Sequence, residues 1–292
     1  MRNEDPQTRL GSNLLDRIGN TPLVRLEHVA RDLPGITVLG KAEWTNPSGS
    51  AKDRAASAIV RDAIARKRLV SGKTLLDASG GNTGISYAML GAALGFPVHL
   101  AIPNALPPES KRVLGLFGAT VDWTDPAEGA DGAIRRAREL AGNDPARFCY
   151  VDQFSNDANW LAHFHATGPE IWRQTDGQVT HFVAGLGTSG TFMGTTRSLK
   201  GFNAKLQSIS VRPDALIHGL DGLIHSSASI VPPIFNPHLA DRAVEIETEV
   251  ARAMVKRLAR EEGLLVGPSA GAAVVASLQV AQEEAAAGRS AV

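Results

Sequence analysis

The sequence predicts an α/β protein of two three-layer α/β/α domains with mostly parallel sheets. Three observations point there. Short β-rich runs alternate with helical stretches, the pattern of parallel strands covered by helices on both faces. Three glycine-rich loops directly follow predicted strands, where open α/β sheets hold their ligands. Of the 292 residues, 43% are apolar, enough for two cores, because a chain near this length buries roughly three quarters of its unfolded surface.

Each element has a local reason. A strand is expected at 36–44, followed by a helix at 53–67 whose alanines, isoleucines and valine recur at helical spacing. The run 74–78 is an apolar strand stopped by Ser79-Gly80-Gly81, and 84–94 is a helix stopped by Gly95. The greasiest stretch, 87–103, is broken by Gly91, Gly95, Pro97 and His99. It reads as the end of that buried helix plus a buried strand at 98–102 rather than a membrane span. Further on, a proline-led helix at 108–116, a strand at 120–123, a helix at 130–141 and a strand at 148–151 close the first half. The second half offers a helix at 158–174, a strand at 180–184 and a helix at 191–198. A strand at 206–211, a helix at 248–262, a strand at 264–266 and an alanine-rich helix at 271–287 complete it.

Composition excludes several classes. Thirty Lys plus Arg balance thirty Asp plus Glu, with a pI of about 7.1, so no basic footprint marks a nucleic-acid or acidic-membrane partner. Cys149 is the single cysteine; no disulfide forms within the chain and no cysteine cluster holds a metal. His163 and His165 stand two apart on a helix and cannot form a ligand pair, while His99, His181 and Cys149 read as strand residues. The opening MRNEDPQTRL lacks an apolar leader core, and a cytoplasmic protein without a metal is expected.

Four segments carry chemistry. Ser79 to Gly84 offers backbone N–H groups at a helix start, a cradle for an anion, though the same residues suit a tight turn. Gly185 to Thr191 literally matches G-x-G-x-x-G, so a dinucleotide-binding oxidoreductase competes; the acid it needs, Asp214, lies beyond Pro213. Thr188, Ser189 and Thr191 add hydroxyls that suit a phosphate monoester. In the third loop, Gly267 to Gly271, Ser269 meets a ligand or caps the last helix. Finally, Lys52 begins a helix after Asn46-Pro47-Ser48-Gly49-Ser50. A cation there opposes the helix dipole, and its pKa falls toward that of a nucleophilic amine.

Together these residues resemble the fold-type II pyridoxal-phosphate enzymes of the tryptophan synthase β-like fold, and among them the cysteine synthases and cystathionine β-synthases. Ile18-Gly19-Asn20-Thr21-Pro22-Leu23 is similar to that family's opening signature, and Asn46 to Arg54 to its lysine segment. Gly81 to Gly84 resembles its asparagine loop, and Gln153-Phe154, Asn156, Ala158, Asn159, His163 and Thr167-Gly168-Pro169-Glu170 its central stretch. Gly187 to Thr191 and Gly267 to Gly271 resemble its phosphate and serine loops; the likeness runs over about 14–285.

The resemblance implies a smaller domain at 44–155 and a larger one at 1–43 with 156–292. It implies that Lys52 carries pyridoxal 5′-phosphate as a Schiff base and moves the Cα proton. Asn82 would bond the cofactor's 3′-oxygen, and Gly187, Thr188, Ser189, Gly190 and Thr191 its phosphate. Ser269 would face the pyridine nitrogen, and Ser79, Gly80, Thr83 and Gln153 would grip the substrate carboxylate. A hydroxyl at that nitrogen suits β-replacement over transamination. The implied reaction makes L-cysteine from an O-activated L-serine, O-acetylserine first, and a sulfur donor, in a homodimer. Cystathionine synthesis, serine or threonine dehydration, and a non-catalytic binding relative stay open.

The chain departs from the family in three places. Gly80 stands where a second hydroxyl is usual, and the loop from Gly219 to Ser227 matches only partly. The family continues with one more strand past the position of Val292. No Lys or Arg occurs from Pro213 to Asp241, which favours a neutral acetyl ester over a phosphate in a pocket expected from Leu220, Leu223 and Ile224.

Overall fold

The computed structural model describes residues 13–225 and 230–292. Two short strands, β1 (Leu23–Arg25) and β2 (Leu39–Lys41), pair antiparallel with Leu23 opposite Lys41. Helix α1 (Lys52–Ala65) leads into a parallel sheet of β3 (Thr74–Ala78), β4 (Val98–Pro103), β5 (Thr120–Thr124) and β6 (Phe148–Tyr150) in the order β5-β4-β3-β6. Its crossovers are α2 (Asn82–Leu94), α3 (Pro108–Leu116) and α4 (Gly129–Asn143). Helices α5 (Asp157–Ala162) and α6 (Gly168–Gln174) precede a second parallel sheet. It orders β7 (His181–Gly185), β8 (Gln207–Pro213) and β9 (Arg242–Ile246) as β7-β8-β9. Helices α7 (Gly190–Phe202), α8 (Thr248–Arg257) and α9 (Pro268–Ala286) cover it.

Strand alternation builds the layers. Leu75, Leu100 and Ile102 face α1 and α2, packing on Ala56, Ile59, Val60, Tyr87 and Leu90. Leu76 and Ala101 point the other way, onto Ala133, Ile134 and Ala137 of α4. In the second sheet Ile209, Val211, Val244 and Ile246 pack on α8 and α9, while Phe182 and Ala184 pack with Phe192 and Met193 of α7. Leu26 and Val29 join the second core, whereas Leu15 and Ile18 rest against the first. Both sheets are therefore three-layer sandwiches.

The expected strand at 264–266 does not form. Leu264 closes the preceding helical turn by donating its N–H to Leu258 O, and Leu265 is 88% exposed, so the apolar triplet is an extended connection. The strand expected at 36–44 is confined to β2, because a 3-10 turn at Glu43–Thr45 follows it. Strands β1 and β9 escape a reading by composition: β1 has three residues, and in RAVEI only Val244 and Ile246 turn inward from a sheet edge. The helix expected at 158–174 is one rod with a π turn at His163–Thr167 joining α5 to α6. A second π turn, Leu258–Glu262, extends α8.

A buried ion network ties the elements together. Arg54, on the first turn of α1, donates to Glu170 of α6 through Nη1 (2.8 Å) and Nη2 (2.7 Å) and to Glu43 through Nε (2.8 Å) and Nη2 (2.9 Å). Lys41 reaches Glu170 at 2.8 Å. Two cations meet two carboxylates, so the cluster is neutral. The opening segment wraps it: Asn20 N–H donates to Glu170 Oε1 (2.9 Å), Gly19 N–H to Asn46 Oδ1 (2.8 Å), and Thr21 Oγ1 to Glu43 Oε1 (2.7 Å). Gly19 has φ +86°, and a Cβ there would stand 3.0 Å from Arg54 Nη1, so glycine meets both demands.

Burial pushes the Glu170 carboxyl up, but the hydrogen bonds of Arg54 and Lys41 outweigh it and hold it at about 2. A depressed carboxylate pKa contributes stability that is complete above the unfolded value and disappears as pH falls from about 4.5 toward 2. Glu170→Gln should therefore unfold more readily in urea at pH 7, by about 3 kcal/mol. It should also lose less stability than the parent on acidification from pH 5 to 3. Parallel losses for the two proteins over that range would exclude Glu170 as an acid-labile tie.

Candidate active site

Lys52 is the first residue of α1, half-buried, with no side-chain cap ahead of it. Burial pushes its ammonium down, against the opposing pull of Glu43, and its Nζ has no hydrogen-bond or ion-pair partner among the described residues. Asp53 is spent locally: it accepts the Ser48 N–H (2.8 Å), the Ser48 hydroxyl and the Ser86 hydroxyl (2.6 Å). These bonds fix the loop before Lys52 against α2.

The first glycine loop lies between β3 and α2. Ser79 Oγ accepts the Gly84 N–H at 3.0 Å, which leaves its own proton to donate. Thr83 is buried and Asn82 is exposed on the first turn of α2. Gln153 is buried and donates Nε2 to Ala78 O at 2.8 Å, so it stands beside the end of β3. Asp77, just before the loop, accepts the Gln153 N–H at 3.2 Å and the Ala78 N–H at 2.8 Å; burial pushes its carboxyl to about 7. Thus Ser79, Thr83, Asn82 and Gln153 converge at the carboxyl end of β3. Gly80 differs. A Cβ there would meet Leu106 Cδ1 at 2.2 Å and Ile102 Cγ2 at 2.5 Å, so apolar side chains fill the place of a second hydroxyl.

The second glycine loop joins β7 to α7. Ser189 takes φ +73° at the helix cap, and the first-turn N–H groups of the 13-residue α7 point out of the helix. Asn159 holds the loop in place. Its Nδ2 donates to Thr188 Oγ1 (2.9 Å) and to Gln153 O (2.7 Å), and a Cβ on Gly190 would fall 1.9 Å from its Oδ1. Since Thr188 Oγ1 accepts from Asn159, its own proton is available to an anion. Thr191 Oγ1 lies 3.2 Å from His163 Nε2. A Cβ on Gly187 would collide with Gly222 O at 2.1 Å, which seats the 219–224 loop on this turn.

Ser269 is half-buried at the second position of α9 and makes no cap bond; Gly267 occupies the cap. The capping role that competed for this serine is therefore not the one observed. Leu220 is fully buried in the second core and lines no pocket; Leu223 lies against Gly185, and Ile224 N–H is tied to Leu186 O. His218 Nδ1 accepts the Leu220 N–H, and burial lowers its pKa, so it supplies no cation at neutral pH. Ser226 and Ser227 lie outside the described residues, as does the opening segment 1–12.

Asn159, His163, Asp77, Glu43 and Arg54 were not among the residues assigned roles from sequence. Asn159, His163 and Glu170 did stand in the central motif. The missing signal was partnership, since each acts on a residue far away in the chain.

The donor set fits pyridoxal phosphate: an unpaired desolvated amine, an exposed asparagine amide, and a helix-start loop with oriented hydroxyls for a phosphate dianion. The comparisons agree. A model described as pyridoxal-phosphate dependent enzyme matches residues 14–292. The chain is 46% identical to a cysteine synthase of Aquifex aeolicus, over 96% of this chain and 86% of that one. It is 39% identical to cysteine synthase B of Pseudomonas aeruginosa, over 92% and 89%. Among solved structures, a hydrogen sulfide-producing enzyme of Fusobacterium nucleatum superposes with a TM-score of 0.89 at 30% identity, covering 94% of each chain.

Substituting Gly80→Ser should destabilise the protein by about 1–3 kcal/mol through overpacking, with Leu106→Ala in the same chain recovering part of the loss. An unchanged urea midpoint for Gly80→Ser would contradict the filled space seen here. With the lysine, the anion loop and the matched sequences in one frame, the chain belongs to the fold-type II pyridoxal-phosphate dependent enzymes that include the cysteine synthases.

Proposed function

We propose that this enzyme forms L-cysteine by β-replacement, from O-acetylserine and a sulfur nucleophile, with acetate leaving. The observation that carries the reading is Lys52, a desolvated amine at the start of α1 whose Nζ has no ion-pair partner among the described residues. The names of the similar proteins, cysteine synthases among the curated relatives and an O-acetylserine sulfhydrylase of Entamoeba histolytica among the structures, support it.

Bound pyridoxal phosphate supplies an electron sink for the substrate's Cα. Lys52 Nζ, kept unprotonated by burial, takes the Cα proton and later returns it. The Cβ–O bond breaks with the electron pair going to acetate, and a Cβ–S bond forms. Ser79 Oγ donates its remaining proton to the substrate carboxylate, with Thr83 and Gln153 beside it, while Gly80 contributes only backbone. Asn82 takes the cofactor's ring oxygen, Gly187 to Thr191 its phosphate, and Ser269, a neutral hydroxyl, the ring nitrogen. On the division proposed from sequence, 44–155 brings Lys52 and the carboxylate loop, and the remainder brings the phosphate loop.

A dinucleotide site at Gly185 to Gly190 is not favoured, because the family model that spans residues 14–292, this loop included, is that of pyridoxal-phosphate dependent enzymes. No helix among the described residues is long and apolar enough to cross a membrane, and the reading takes the enzyme as a cytoplasmic homodimer.

The donor decides the test. A phosphate dianion in a partly dry cleft calls for a cation. The stretch from Pro213 to Asp241 carries no Lys or Arg. Assayed with sulfide, the enzyme should use O-acetylserine with a kcat/KM at least about tenfold above that for O-phosphoserine. The reverse order would overturn the acetyl reading and point to Arg212, half-buried near the end of β8, whose Nε has no hydrogen-bond partner among the described residues.

A further inference from the structure

A phosphate dianion needs donors, and a threonine hydroxyl has one proton to give. If Thr191 spends that proton on a neighbour, the loop offers the dianion a lone pair instead. The neighbour is His163, fully buried in the π turn between α5 and α6, with Nε2 3.2 Å from Thr191 Oγ1 and Nδ1 2.9 Å from Thr167 Oγ1. π turns of this kind recur at functional sites.

The other side of the ring fixes the tautomer. Thr167 is buried, and His163 Nδ1 is the partner of its hydroxyl among the described residues. The hydroxyl does not turn to the carbonyl one helical turn back, although Thr175, nearby in the same rod, does so with Ile171 O at 2.9 Å. A buried hydroxyl proton with one acceptor in reach donates to it, because an unmade bond there is costly. Nδ1 therefore accepts. Burial also pushes the ring's pKa to about 3, so the imidazole stays neutral and its single proton sits on Nε2.

We propose that His163 is a positioning residue, held in the Nε2–H form by Thr167, that donates to Thr191 Oγ1 and so turns the Thr191 proton toward the bound cofactor's phosphate. The proposal rests on the reading of Thr191 as a phosphate ligand. It gives Thr191 the same treatment that Asn159 gives Thr188, where an amide N–H fills the hydroxyl's acceptor side at 2.9 Å. Both loop hydroxyls then meet the anion as donors without rearranging when it binds.

Two measurements test it. In holoenzyme labelled with 15N-histidine, with the spectrum of His163→Gln identifying the resonances, Nε2 of His163 should be of the protonated type and Nδ1 of the unprotonated type. The opposite pattern overturns the proposal. The second measurement is the dissociation constant of pyridoxal phosphate. Glutamine places an N–H near the position of Nε2 and asparagine near that of Nδ1. His163→Gln should stay within about threefold of the parent, while His163→Asn and Thr191→Val should each weaken binding about tenfold. The double variant His163→Asn with Thr191→Val should be no weaker than either alone, because the histidine acts through that hydroxyl. Equal losses for glutamine and asparagine, or losses that add in the double variant, would show a structural role only and refute the proposal. If Thr191→Val binds the cofactor as tightly as the parent, the reading of Thr191 falls and the role of His163 with it, whatever tautomer is found.

Discussion

Arg54 is shared by two carboxylates from different elements, Glu43 from the segment after β2 and Glu170 from α6, and is almost wholly withdrawn from water. A guanidinium in that position cannot shift without uncovering a charge, and breaking such a pair is far costlier than the pair is stabilising. Its geometry therefore acts as a register pin. Arg54 lies two residues past Lys52 on the same helical turn, so pinning one fixes the other. The same cluster also takes up Lys41, whose ammonium bonds Glu170, Gln174 and the Thr21 carbonyl. Of the two lysines that burial pushes down here, Lys41 is thus committed and Lys52 is not.

From that pin the site assembles outward. The opening glycine and Asn20 close over the network, Asp53 binds Ser48 and Ser86 to hold α1 against α2, and α6 continues through the π turn to α5. Asn159 and His163 project from that rod onto Thr188 and Thr191. One rod therefore carries Glu170 against the lysine helix and two side chains against the anion loop. The spacing between amine and loop is set by a rigid element rather than by flexible loops, as a site that must hold one ligand at both ends requires.

The alternation of strands and helices made both parallel sheets legible in the sequence: β4 and β8 end in proline, β7 ends in glycine, and glycines closely follow β3. The loops after β3 and β7 were legible for the same reason. Edge strand β9 was not, since two inward residues in five look like loop, and 264–266 misled because three apolar residues read as buried when Leu265 is exposed. The residues Ile18 to Leu23 were recognisable as a signature but had no visible purpose. That purpose is to cover Arg54 and Glu170, and Glu170 lies 150 residues beyond Asn20, a pairing that no local pattern reveals. Gly80 shows the opposite case: its oddity was plain, while its reason, the space taken by Leu106 and Ile102, needed the fold.

The central claim is that Lys52, without an ion-pair partner among the described residues while Lys41 is bound to Glu170, is the amine that carries the cofactor. Reducing the holoenzyme with borohydride fixes the cofactor to whichever lysine holds it, and mass mapping of the resulting peptides identifies that residue. The account predicts the pyridoxyl group on Lys52 alone. Its appearance on Lys41 or on any other lysine would contradict it.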